Sequence, residues 1–146
     1  MITVKFPMAL AATFLWIGFV GAISFMEAWL KFRAPGITVP LGLGIGRLVF
    51  HALNKMEWIF VILIAANLLW SGFSMSWTKL FILLPILILA AQTDWLLPAL
   101  DMRAEMHIQG QAAPDSSLHF VYVAMEVVKV SALFIFGITL FKTTSP

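Results

Sequence analysis

The stretch "HFVYVAMEVVK", residues 119–129, carries His119, Tyr122, Glu126 and Lys129 within an otherwise apolar run. Steps of three, four and three residues place an imidazole, a phenol, a carboxyl and an ammonium on one helix face. Such a set can bind a polar ligand, coordinate an ion or move a proton. It can also do none of these, because Glu126 and Lys129 stand at i,i+3 and can simply pair. Upstream, Arg47, His51 and Asn54 recur on one face, with Glu57 flanking it.

Specific chemistries can be tested against this spacing. Di-iron bundles use a Glu-x-x-His motif. His119 and Glu126 are instead seven residues apart, about 10 Å of helical rise, too far for one metal. Ligands from different helices, or a b-type haem between His51 and His119, would need convergence that two unpatterned histidines do not specify. Metal and cofactor are left unassigned. There is no G-x-S-x-G, no H-E-x-x-H and no cysteine, so no nucleophile motif appears and thiol chemistry is excluded. General acid–base work by Glu57, Glu126 or His119 is conceivable, but nothing selects an enzyme over a binding site, and no residue is assigned as catalytic.

The elements that hold these groups follow from composition. Of 146 residues, 62% are hydrophobic and 11% are charged, against about a quarter charged in soluble domains. A net charge of +2, dispersed along the chain, gives no basis for nucleic-acid binding. A span needs roughly 20 helical residues, and four fit in a single domain, at about 7–30, 48–70, 77–97 and 118–141. The first is longer than a signal-peptide apolar region and reads as a retained span. Its Gly18, Gly21 and Ala22 suit either a close helix neighbour or a smooth lipid-facing stripe. "KFRAPGITVP" reads as a loop, with Pro35, Gly36 and Pro40 breaking helix on both sides. The alternate glycines of "LGLGIGR" match no nucleotide fingerprint and read as close packing or a bend. "SGFSMS" is a turn, Pro98 ends the third span, and His107 lies in a polar loop as a solvated residue. Asp115 to Ser117 offers a cap to the fourth helix. The expected fold is an all-α, integral-membrane, up-and-down four-helix bundle with a long second helix.

In that topology one membrane face collects Glu27, Lys31, Arg33, Arg47, His51, Lys55, Glu57, Asp94, Asp101, Arg103, His119, Glu126 and Lys129, while the other has only Lys5, Lys79 and Lys142. Trp70, Trp77 and Phe141 suit interfacial anchors. Counting about 20 residues back from them submerges Lys55, Glu57, Glu126 and Lys129, with Asp94 and Glu27 near the boundary. An unpaired ion at that depth costs at least ~2.5–3.5 kcal/mol, so partners are expected: Lys129 with Glu126 or Glu57. The sparse half offers Thr13, Asn67, Ser71, Ser131 and Thr139, enough for helix–helix hydrogen bonds and thin for a pore.

Residues "FRAPG...GIGRLVF" resemble the transmembrane-protein-205-like family of small four-span proteins, through Phe32, Pro35, Gly46, Phe50 and His119. The resemblance implies a four-span fold and assigns no function.

The expectation is a one-sided intramembrane pocket for a small or amphipathic ligand: a lipid headgroup, a quinone-like molecule or a metal. Its residues are His51, Glu57, Asp94, His119, Tyr122, Glu126 and Lys129, with Arg47 and Arg103 at the mouth. The alternatives are a proton- or ion-coupled small-solute transporter and an accessory subunit whose charges serve assembly with a partner membrane protein or a second copy of the chain. The positive-inside rule puts the charged end of this multi-pass protein in the cytoplasm, in a bacterial plasma membrane.

Overall fold

The structure, a computed structural model, describes residues 2–4, 6–72 and 76–143. Among these, four helices are long and apolar enough to cross a membrane: α1 (Pro7–Arg33), α2 (Val39–Trp70), α3 (Leu80–Ile108) and α4 (Leu118–Thr139). They form the expected all-α bundle in up-and-down order, and α2 is a continuous helix of 32 residues. Two short strands, β1 (Ile2–Val4) and β2 (Phe141–Thr143), pair antiparallel and hold both ends of the chain at one end of the bundle. Lys5 and residues 73–75 of the expected "SGFSMS" turn lie outside the described residues, as do the side chains of Lys79 and Lys142.

Proline placement explains most differences in helix length. Pro40 opens α2 rather than preventing it: it lies in the first turn, where a missing N–H costs nothing, and Thr38 caps the helix by accepting from Leu41 N at 3.4 Å. The second helix therefore begins at Val39, well before residue 48. Pro98 does not end the third helix. It follows a π-helical turn at Gln92–Leu96 and starts a further α-helical segment, Leu97–Ile108. The wider turn relieves the clash a proline makes with the preceding carbonyls. His107 consequently sits on a helix, and the chain reverses at Gly110, whose φ of 73° suits glycine. At the start of α4, Ser116 Oγ accepts from Leu118 N at 3.1 Å, and the helix ends at Thr139, two residues short of the expected boundary.

Trp16, Val20, Leu53, Ile64, Leu89, Leu133 and Phe136 form the buried core. Large apolar side chains such as Leu15, Leu48, Ile62 and Leu87 point outward, a composition suited to lipid. Trp70 and Trp77, 93% and 86% exposed, mark the sparsely charged end as interfacial anchors do.

The two glycine clusters behave differently. Gly42 packs directly against the Phe32 ring and Gly46 lies beside Lys31, so these two glycines of "LGLGIGR" make a close contact between α1 and α2, while Gly44 faces open space. Gly18 and Gly21 face open space, which favours the lipid-facing reading of that stripe. The polar residues of the sparse half are bonded within the bundle: Asn67 Oδ1 on α2 accepts from Ala9 N on α1 at 2.9 Å, and Thr13, Ser131 and Thr139 donate to carbonyls three or four residues back.

Leu133→Ala is expected to cost about 2–5 kcal/mol, because it opens a void in the fully buried core. Ile138→Ala, on the outward face, should change little. Thermal melting of the two variants in one detergent checks the contrast.

Candidate functional site

The nine residues expected to share one pocket fall into two places. Glu57, Tyr122, Glu126 and Lys129 lie in a closed cluster inside the bundle. Arg47, Arg103 and His119 line a cavity at the charged end, and His51 sits beside that cavity, bound to Asp101. Asp94 joins neither: it is exposed on α3 and makes no ion pair among the described residues.

The cluster is centred on Lys129, which is fully buried. Its Nζ donates to Glu57 Oε1 and, at 2.7 Å, to Gln92 Oε1, and stands 2.6 Å from Glu126 Oε1. The ammonium thus has two hydrogen-bond acceptors and a second carboxylate in ion-pair contact. Glu126 accepts further from Gln92 Nε2 at 2.7 Å and Ser24 Oγ at 2.9 Å, while Glu57 Oε1 accepts from Trp16 Nε1 at 2.7 Å. Tyr122 Oη lies 3.3 Å from Ser24 Oγ and extends the chain of contacts toward the charged end. Every helix contributes: Trp16 and Ser24 from α1, Glu57 from α2, Gln92 from α3, and the rest from α4. Among the described residues, no buried side-chain nitrogen or oxygen is left without a partner.

Two of these side chains come from π-helical turns. Ser24 lies in Gly21–Glu27 of α1 and Gln92 opens Gln92–Leu96 of α3, and both aim at Glu126. π-turns are rare and recur at functional positions. Trp16, Ser24 and Gln92 were not singled out from the sequence. The available signal was weak: an isolated serine and an isolated amide in apolar runs, each of which costs free energy if buried without a partner.

The cavity holds about 260 Å3 between the ends of α1, α2 and α3, with His119 of α4 at its side. Its wall is largely apolar, with Leu43, Phe50, Leu97 and Leu100. Its charged groups are Lys31, Arg47 and Arg103 against the single carboxylate of Asp101, with His107 and His119 adding imidazoles. Arg47 is tied by Nη1 to Glu105 at 2.5 Å and lies 3.6 Å from Asp101, and Lys31 pairs with Glu27 at 3.2 Å. Arg103 donates to the Pro114 carbonyl at 2.5 Å and forms no ion pair among the described residues. Lys55, expected to be submerged and paired, is exposed and likewise unpaired among them.

Phe50 separates the two places. It lines the cavity and packs edge-on against the Tyr122 ring, 5.2 Å between centroids. No group of three or more His, Asp or Glu side chains converges as a metal set among the described residues. Compared with known proteins, the chain matches no family model, no curated protein and no solved structure.

Lys129→Met would leave carboxylate charge enclosed with no cation. The expected cost is roughly 3–5 kcal/mol, seen as a large drop in melting temperature or as loss of folded protein. An unchanged melting curve would contradict the buried pairing.

Proposed function

We propose that this protein binds an anionic amphipathic molecule at the charged end of the bundle, with a lipid-type headgroup in the cavity and its apolar part along the helices. The observation that carries the reading is the makeup of the cavity wall: Arg103, with no carboxylate partner among the described residues, beside the ion-paired Lys31 and Arg47, set over leucine and phenylalanine. A free inorganic anion would gain nothing from the apolar wall, and a neutral hydrocarbon would gain nothing from the cations. Arg103 is the group with charge to spare, since its partner is a carbonyl and its remaining N–H donors can face a phosphate or carboxylate.

Membership of the transmembrane-protein-205-like family belongs to the same proposal. Of the five residues that carry the resemblance, Phe32, Gly46, Phe50 and His119 line this cavity. The charged end is assigned to the cytoplasm of a bacterial plasma membrane, from Lys31, Arg33, Arg47, Lys55 and Arg103 there against Lys5, Lys79 and Lys142 at the other end. A reporter fused to the C-terminus should then read as non-cytoplasmic, and a cytoplasmic reading would reverse the assignment.

Native mass spectrometry of the protein released from nanodiscs should retain phosphatidylglycerol in preference to phosphatidylcholine. Arg103→Gln should weaken that retention by roughly ten- to a hundredfold, the worth of one charge-assisted hydrogen bond, with melting unchanged. Equal retention of the two lipids, or an Arg103→Gln variant that binds like the parent, would remove the reading.

A further inference from the structure

We infer that the buried cluster is a proton-binding site, in which one proton sits on Glu57 Oε2 and exchanges with water. This assignment is independent of what the cavity holds. It begins from a charge count: the cluster encloses two carboxyl groups, Glu57 and Glu126, and one ammonium, Lys129. With all three ionised, the interior would carry a net negative charge away from water, a state that buried groups escape by neutralising. One added proton makes the cluster neutral.

Other groups packed around Glu57 do not supply the missing positive charge. From α1 it meets the Trp16 indole, which is neutral. From α3 the nearest cluster member is the Gln92 amide, also neutral, while Asp94 is exposed away from the cluster. From α4 it faces Lys129, already counted, and beyond it Glu126 and Tyr122. Lys31 and Arg47 are held by Glu27, Asp101 and Glu105 at the cavity.

Hydrogen-bond geometry selects which carboxyl takes the proton. Glu126 accepts hydrogen bonds at both of its oxygens, from Gln92 at Oε1 and Ser24 at Oε2, with Lys129 in ion-pair contact at Oε1. That is the environment of an ionised carboxylate. On Glu57 both donors, Trp16 and Lys129, converge on Oε1, and no donor reaches Oε2 among the described residues. Oε2 is therefore the oxygen with room for a hydrogen. Glu57 is also the one member of the trio that is not wholly buried, 2% exposed against zero for Glu126 and Lys129, so the exchange is assigned to it. A hydronium ion at the site gives up the proton: its O–H bond breaks as the O–H bond at Oε2 forms, leaving water, and release of the proton to water reverses the step.

The test is infrared spectroscopy of the full chain in nanodiscs at neutral pH, paired with melting. A carbonyl stretch of a protonated carboxylic acid should be present, shift in D2O and vanish in Glu57→Gln. Because glutamine resembles the neutral acid, Glu57→Gln should move the melting temperature by less than about 4 °C. Glu126→Gln removes the charge opposing Lys129 and should lower melting by about 10 °C or more, or prevent folding. The inference is overturned if the parent lacks the acid band or if the band survives in Glu57→Gln. It is equally overturned if Glu57→Gln is as damaging as Glu126→Gln. Loss of the band on raising sodium or potassium at fixed pH would assign the site to a metal cation and likewise end it.

Discussion

Lys129 is enclosed by four helices, so its ammonium must find its acceptors within the bundle if the bundle is to close. Much else follows from that constraint. Glu57 on α2, Gln92 on α3 and Glu126 one turn back on α4 meet at a single nitrogen, so sliding any of these helices by one residue breaks a contact. The apolar layers around Leu89, Leu133 and Phe136 are less demanding, because dispersion contacts lack direction and survive small shifts. Burying charge adds no obvious stability over a well-packed apolar core. What it adds here is a set of directional contacts that hold α2 and α3 against α4.

The cluster and the cavity solve the problem of polar groups in an apolar bundle in opposite ways. In the cluster, amide, hydroxyl, indole and ions satisfy one another in a closed space. At the charged end, helices that continue past the expected span carry their charges toward headgroup depth, where Arg47 and His51 of α2 meet Asp101 and Glu105 of α3. The Phe50–Tyr122 contact lies where the two regimes meet. Phe50 presents one face to the cavity, and behind it the Tyr122 hydroxyl begins the bonded series through Ser24 to Glu126. That aromatic pair thus stands between the cation-lined recess and the buried ion-paired cluster.

Much of this was legible in the sequence. Apolar runs of span length imply four helices, and a charge inside such a run has few options, which is why Lys129, Glu126 and Glu57 stood out and why their pairing was expected. Depth could be counted, but azimuth could not. Asp94 falls at a suitable depth and still points outward, and Lys55, two residues before Glu57, lies on the opposite side of α2 from the cluster. Prolines misled for a related reason. Pro40 and Pro98 are breakers only where their nitrogen must donate, and both occupy starts of helical segments. Ser24 and Gln92 were invisible because a small or neutral polar residue in an apolar run carries no sign of which neighbour it will meet.

The π-turns shift azimuth along α1 and α3. Each adds a residue to a helical turn, so a face projected forward at 3.6 residues per turn is displaced by about 100° beyond it. In α3 the turn begins at Gln92, so the chain before it and the chain after it present different phases to the bundle: Gln92 and Leu96 point inward while Asp94 points out. In α1 the turn spans Gly21–Glu27 and brings Ser24 inward, and farther along the helix Lys31 reaches the cavity. π-turns are rare in helices, yet both long interruptions occur at the level of Glu126 and both supply it with a donor. The irregular backbone thus coincides with the polar cluster, since Ser24 and Gln92, the two donors that hydrogen-bond Glu126, both lie in π-helical turns.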